Sequence, residues 1–286
     1  MNAAGIQHYY LIYRMNCSRP GRFYGKANET LFLNGIILND SDYVCDFVDW
    51  HYHENAYFSF LLAGSSLDGN RKTTHECAAG SLLFQNWQDP HYNVKSKLYT
   101  RGFHVELKPS WFASFDMPAN LVEGSMRITD PSLTTLMYNV FKEMKLYNGE
   151  SQLAIDALLV QLFDGLSQES RSGETLKPAW VNVIREALHA APDQWKLIEL
   201  AKLANVHPVH LSRYFPKYFK ATLGDYNRMI KVNKALSLLP NKHMSLTKIA
   251  AECGFADQSH FIRSFKSCHG LTPLQYRKLL LKQEPC

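Results

Sequence analysis

The chain has 286 residues, 46% of them apolar, and a formal net charge of +5. A length near twice the ~150 residues of an average domain predicts two domains, and this apolar content excludes a disordered chain. No apolar run reaches the ~18 residues of a membrane span, and MNAAGIQHYYLIYRMNCSRP at the start lacks the basic-then-apolar pattern of a secretory signal. The expected setting is therefore the cytoplasm, with no membrane contact.

Residues 31 to about 107 read as β structure. The runs LFLNGIIL, DYVCDFVDW, AYFSFLL, KTTHEC, GSLLFQ and LYTRGFHVEL are separated by turn signals such as Asp68-Gly69-Asn70 and Ala79-Gly80. Short strands of this kind predict a small barrel or a double-sheet jelly roll. From Asp130 the period changes. Leu133, Leu136, Met137, Val140, Phe141 and Met144 mark an amphipathic helix, and Leu158, Leu159, Leu162, Phe163 and Leu166 mark a second. These two helices are expected to follow the barrel and to carry a homodimer contact. Ser167 to Pro178, SQESRSGETLKP, reads as a linker. The expected domains are thus 1–167, a linker over 168–178, and 179–286.

Everything after Pro178 reads helical, and two stretches within it are imperfect copies. They are KLIELAKLANVHPVHLSRYF, Lys196 to Phe215, and SLTKIAAECGFADQSHFIRSF, Ser245 to Phe265. Each has an apolar residue and Ala, a small residue three on, a turn residue with an apolar anchor, and then His, an apolar residue and a closing Phe. The second copy has one extra residue in its turn. Small residues let two helices cross closely, and Asn205 and Gly254 are suited to a left-handed turn. Both copies therefore read as helix-turn-helix units, which present their second helix to the DNA major groove. Thr222 is the expected N-cap of a connecting helix running to about Leu239, long enough at 1.5 Å per residue to set the reading helices about one DNA turn apart. Charge agrees with this. Residues 178–286 hold 16 Lys and Arg against 7 Asp and Glu, a net of +9, whereas residues 1–177 hold 15 against 19, a net of −4. A basic C-terminal third is the electrostatic footprint of a nucleic-acid binder.

The stretch IAAECGFADQSHFIRSFKSCHGLTPLQYR, Ile249 to Arg277, resembles the AraC/XylS family of bacterial transcription regulators. DWHYHENAYFSFLLAG and AAGSLLFQNWQDPH resemble the family's cupin-like sensor domain. The resemblance implies an α+β chain: an N-terminal cupin-like β-barrel with two following helices, and a C-terminal all-α domain with two helix-turn-helix units. It implies an activator or repressor that answers to a small-molecule effector, binds double-stranded promoter DNA as a homodimer and acts on RNA polymerase. Carried over by position, the groove-facing residues are Val209, His210, Ser212 and Arg213 in the first unit and Gln258, Ser259, Ile262 and Arg263 in the second. Leu211, Tyr214, Phe215, Phe261 and Phe265 are expected inward, and His260 in a packing role. Lys266, Thr272 and Arg277 are expected at phosphates, with Lys242 and Lys248 as further candidates. The chain departs from the family at Lys220, where a Gly is usual, and at Pro216 inside the first reading helix.

The effector is expected to meet His51, His53, Tyr57, Phe58, Phe60, Phe84, Trp87 and His91, in a pocket rich in aromatic residues. His51 and His53 share one face of a strand, and with His91 they raise a metal-dependent enzyme as an alternative. The three positions where a metal-binding cupin places its carboxylate are Ala56, Tyr57 and Phe58. On that ground neither metal nor cofactor is expected. No phosphate-binding loop, nucleophile elbow or dinucleotide fingerprint occurs, so the chain is not expected to be an enzyme. A further alternative is a constitutive DNA binder whose barrel serves only for dimerisation. The six cysteines form no C-x-x-C pair and are expected to be reduced thiols.

Overall fold

The computed structural model describes residues 16–281 apart from 44, 87, 97–98, 119–121, 123, 175–176 and 193, with 169–174 described by their backbone alone. The chain divides into two compact units between Thr129 and Asp130.

The first unit is a sandwich of two sheets. One has the order β1 (Asn16–Ser18), β4 (Phe47–His53), β9 (His91–Lys95), β6 (Ser65–Asn70) and β7 (Thr74–Ala78). The other runs β11 (Met126–Ile128), β8 (Leu82–Gln85), β5 (Ala56–Ala63), β10 (Thr100–Leu107), β3 (Ile36–Tyr43) and β2 (Lys26–Leu33). All pairings are antiparallel except β1 with β4. The apolar run LFLNGIIL is two strands rather than one. Asn34-Gly35 turns β2 back onto β3, a strong short hairpin signal. Gly35 has φ +75°, and a Cβ there would lie 2.8 Å from the Cβ of Trp111 on the short helix α1 (Pro109–Ser114), so both the turn and the contact require glycine.

Register decides what lies between the sheets. On β5, Tyr57 and Ser59 alternate with Phe58 and Phe60. Tyr57 pairs with Gln85 and Glu106, and Ser59 with His104. Phe58 pairs with Phe84 and Val105, and Phe60 with Phe103. The first set faces the other sheet, since Tyr57 bonds to His91 and Gln85 to Asp68. The phenylalanines therefore occupy the opposite face. On that face Asp40 and Arg101 form a two-pronged ion pair of 2.6 and 2.7 Å, almost wholly shielded from water.

The second unit is all helical. It comprises α2 (Pro131–Lys145), α3 (Ser151–Glu174), α4 (Ala179–Ala190), α5 (Leu197–Leu203), α6 (Pro208–Phe219), α7 (Leu223–Leu238), α8 (Leu246–Glu252), α9 (Gln258–His269) and α10 (Pro273–Leu280). Two sequence expectations need correction here. The stretch expected as a linker from 168 is still helix to Glu174, because Ser, Gln, Glu and Arg continue a helix as readily as they make a loop. The helices expected to belong with the barrel pack with the C-terminal helices. Tyr276 donates to the carbonyl of Tyr138 at 2.5 Å, Asn139 meets His269 at 2.9 Å, and Asn233 donates to the carbonyl of Pro131 at 2.8 Å. Within the pair α2–α3, Gly165 lies where a Cβ would strike Leu133 at 2.5 Å, so the helices cross closely.

Candidate functional site

The two sequence repeats fold as two copies of one device. In the first, Asn205 N donates to Lys202 O at 3.2 Å and Val206 N to Ala201 O at 2.9 Å. In the second, Gly254 N donates to Ala251 O at 3.0 Å and Phe255 N to Ala250 O at 2.9 Å. This pattern stops a helix with one residue in the left-handed region, and Asn205 and Gly254 have φ of 50° and 71°. Lys231 on α7 donates to the Gly254 carbonyl at 2.6 Å and ties the second turn to the connecting helix. Each reading helix then begins with a side-chain cap. His207 Nδ1 accepts from Val209 N at 3.3 Å, and Asp257 accepts from His260 N at 2.6 Å. The extra residue of the second turn is Ala256.

Along α6, Leu211, Phe215 and Phe219 are buried against Trp180, Ile184, Leu200 and Tyr226. Val209, His210, Ser212 and Arg213 are exposed. Tyr214 is not inward as expected: it is 38% exposed and its ring lies 4.5 Å from that of His210. Along α9, Phe261 and Phe265 are buried, Gln258, Ser259, Arg263 and Lys266 are exposed, and Ile262 is half-buried. His260 is exposed rather than packed inward, although its ring edge touches Phe255 at 5.5 Å. Gln258 Oε1 accepts from Thr247 at 2.6 Å, which fixes that side chain at the start of the helix. Lys242 and Lys248 are exposed as well.

Two expected phosphate contacts are already engaged within the chain. Arg277 donates from Nε to Leu239 O at 3.0 Å and from Nη2 to Met244 O at 2.8 Å. It clamps the connection between α7 and α8, a structural role. Thr272 caps α10 through a reciprocal box: its Oγ accepts from Gln275 N at 3.3 Å and its N–H donates to Gln275 Oε1 at 2.8 Å. Pro273 has no N–H, so this turn offers a phosphate few donors.

After the reading helices, Lys220 and Gly270 occupy matching positions with φ of 56° and 73°, each two residues before a capping threonine. A lysine there carries the Cβ strain that glycine avoids. Replacing Lys220 by glycine is expected to stabilise the helical unit by about 1 kcal/mol, read as a higher urea midpoint at unchanged slope. A lowered midpoint contradicts this.

The space between the sheets of the first unit is the other candidate site. His51, His53 and His91 are buried there, with ligand-capable atoms all within 4.8 Å of one another. His51 Nδ1 meets Asp49 O at 2.8 Å, His91 Nδ1 meets Asp89 O at 3.0 Å, and Tyr57 Oη lies 2.8 Å from His91 Nε2. Burial, followed by repulsion from His91, lowers the His51 pKa to about 4. Burial lowers that of His91 to about 4 and holds His53 well below its usual value. All three are neutral imidazoles at pH 7.

Of the expected effector residues, the structure gathers His51, His53, Tyr57 and His91. It sets Phe58, Phe60 and Phe84 on the far side of the sheet, and Trp87 lies outside the described residues. The space is more polar than expected. Tyr43 bonds to His104 at 2.7 Å, Asp68 accepts from Gln85 and Asn93, and buried Lys95 lies 4.0 Å over the Tyr43 ring. Burial pushes Lys95 down to about 8 and raises Asp68. Phe23 stacks on His104 at 4.0 Å and on His53 at 5.3 Å, and Tyr24 meets His51 at 4.6 Å. Both come from the segment before β2, whose Gly21 N–H is held by Glu106 at 2.7 Å. A cleft of about 450 Å³, lined by Ser66, Cys77, Lys95 and Arg127 among others, opens beside Lys95. Such a volume falls within the ~300–1,000 Å³ of small-molecule sites.

Two helix-turn-helix units with exposed reading faces define a DNA-binding protein. The family model described as a helix-turn-helix domain matches residues 200–279, from within α5 to within α10. The chain is 28% identical over 254 residues to the arabinose operon regulatory protein of Escherichia coli, covering 84% of this chain and 86% of that one. It is 24% identical over 248 residues to the transcriptional activator RhaR of Mannheimia succiniciproducens, covering 82% and 88%. A local match of 35% over 77 residues joins it to the regulator YpdC of Escherichia coli, spanning 27% of either chain. ToxT of Vibrio cholerae is among the solved structures that resemble it, at 13% identity, with 87% of this chain and 99% of that one covered and a TM-score of 0.36. The matched domain is a helix-turn-helix domain, and the relatives that align along most of the chain are transcriptional regulators. Among the described residues no helix is long and apolar enough to cross a membrane.

Proposed function

We propose that this regulator reads double-stranded promoter DNA through α6 and α9, and that a polar small-molecule effector held between the two sheets sets its activity. Val209, His210, Ser212 and Arg213 form the first reading face, and Gln258, Ser259, Ile262 and Arg263 the second. Arg holds guanine O6 and N7 bidentately, and Lys266 contacts phosphate. The chain acts in the cytoplasm as a homodimer, with α2 and α3 near the dimer contact, and passes its state to RNA polymerase.

The observation that supports an effector is the composition of the buried space. Tyr57, Asp68, Lys95 and His104 lie buried between the sheets, with half-buried Tyr43 beside them. Burying groups of this kind costs free energy that an apolar filling would avoid. A sandwich kept only for dimerisation has no use for that lining, whereas a ligand with hydroxyl or carboxylate groups does. The relatives include the arabinose operon regulatory protein, whose name concerns a sugar. The test is a thermal-shift screen of the full chain against sugars, hydroxy acids and fatty acids, followed by DNA affinity. A cognate ligand at one hundred times its Kd adds about 2.7 kcal/mol by mass action. A polar metabolite is expected to raise the midpoint and to change DNA affinity. Stabilisation by fatty acids alone, or by none of the compounds, would sink the polar-effector reading.

A further inference from the structure

We propose that His51, His53 and His91 bind a divalent first-row transition ion inside the sensor sandwich. This goes beyond the proposed function, and it reverses the expectation drawn from the missing carboxylate. Three independent observations carry it.

The first is placement. His51 on β4 stands opposite His91 on β9 in the antiparallel register, and His53 lies two residues further along β4 on the same face. All three are buried with their ligand-capable atoms within 4.8 Å of one another. Imidazole nitrogens about 2.0–2.1 Å from one ion stand somewhat closer together, so small side-chain rotations close the site.

The second is the tautomer. A backbone carbonyl only accepts hydrogen bonds. The Nδ1 atoms of His51 and His91 are therefore the donors to the carbonyls of Asp49 and Asp89. Each leaves an Nε2 lone pair, and outer contacts of this type are what orient metal-ligating histidines. At His91 the Tyr57 hydroxyl occupies that lone pair, at 2.8 Å. An ion bound at His91 Nε2 would take the place of that hydroxyl.

The third is an orphan. His53 Nδ1 is buried and has no hydrogen-bond partner among the described residues. An unsatisfied buried polar atom of this kind calls for an explanation, and an ion supplies one.

The donor set selects the ion. Three imidazoles suit zinc, iron, cobalt, nickel or copper, whereas calcium and magnesium require oxygen ligands. Glu106 is not a further ligand, because its two oxygens accept from Asn55 and from Gly21 N–H. Without a carboxylate the ion keeps its double charge and an open position facing the effector space.

The test uses the full chain, stripped with EDTA, dialysed and titrated with cobalt(II). One equivalent is expected to bind with the visible d–d bands of a low-coordinate nitrogen site, and zinc is expected to displace it. His91→Gln and the triple variant His51→Gln/His53→Gln/His91→Gln are expected to weaken binding more than about 100-fold, beyond the cost of losing an outer-shell partner. His75→Ala and His260→Ala, at partly or fully exposed histidines, are expected to change nothing. A circular-dichroism melt of each variant separates lost ligation from lost folding. If folded wild-type chain shows no stoichiometric cobalt bands, or the triple variant binds as tightly, the proposal is overturned. A stripped chain that still gains stability from a polar metabolite keeps the effector reading intact while this one fails.

Discussion

Replacing Asp40 by alanine is expected to destabilise the two-sheet unit by about 3–5 kcal/mol, the range for breaking a buried ion pair from one side. Asp40 on β3 and Arg101 on β10 meet at 2.6 and 2.7 Å, with side-chain exposures of 0% and 5%. The loss has two parts. The charge-assisted bonds disappear, and the guanidinium stays buried without its main partner. The second part is the larger, which gives the prediction a built-in control. Removing both charges with Asp40→Leu/Arg101→Met leaves no stranded charge and is expected to recover most of the loss. Urea unfolding of the three chains, monitored by a probe in the β unit, checks this. A loss below about 1 kcal/mol for the single variant contradicts the burial argument.

The second large effect belongs to DNA. Arg263→Ala is expected to weaken binding to the cognate site by about 1–3 kcal/mol and to relax preference at one base pair. Lys266→Ala is expected to weaken all sequences about equally and to lower the salt slope by about one, because a phosphate contact carries no base information. Both residues are exposed on α9, whose buried side is pinned by Phe261 and Phe265, so neither change disturbs the fold. Binding isotherms on cognate and shuffled DNA at several salt concentrations separate the two behaviours. An identical sequence preference in the Arg263 variant rules out its base contact.

The helical unit was readable from sequence because each device in it is local. Ala201, Asn205 and Val206, and then Ala250, Gly254 and Phe255, lie within six residues of each other, and their spacing specifies the turn. Thr222 and Asp257 announce their helices by residue type and cap them in the structure. What failed in this unit was non-local. Arg277 has the residue type of a phosphate ligand, but only the return of the chain after α7 brings the carbonyls of Leu239 and Met244 within its reach. The grouping of α2 with the C-terminal helices likewise depends on Tyr138 and Asn139 meeting partners more than a hundred residues away.

The space between the sheets was less readable, for a reason of parity. A shift of one position along β5 exchanges the lining residue Tyr57 for Phe58 on the far face, and composition cannot tell which phase is inside. Strand pairing resolves it, and that pairing is set by residues far along the chain. Lys95, Asp68 and His104 escaped notice because charged and titratable residues are expected at surfaces. His51, His53 and His91 already stood together in the sequence as a candidate set, but Ala56, Tyr57 and Phe58 offer no carboxylate, and sequence alone gives no distances; β4 and β9 bring the three imidazoles within 4.8 Å. One signal was available and not used: Asn34-Gly35 inside an apolar run marks a hairpin.

The central claim is that one chain reads DNA with two helix-turn-helix units. Selection of bound sequences from a random duplex pool by the full-length protein tests it most directly. The account predicts an enriched site with two boxes about one helical turn apart, ~10 base pairs, where Arg213→Ala degrades one box and Arg263→Ala the other. Enrichment of no sequence, or of a site unchanged by both substitutions, would contradict it.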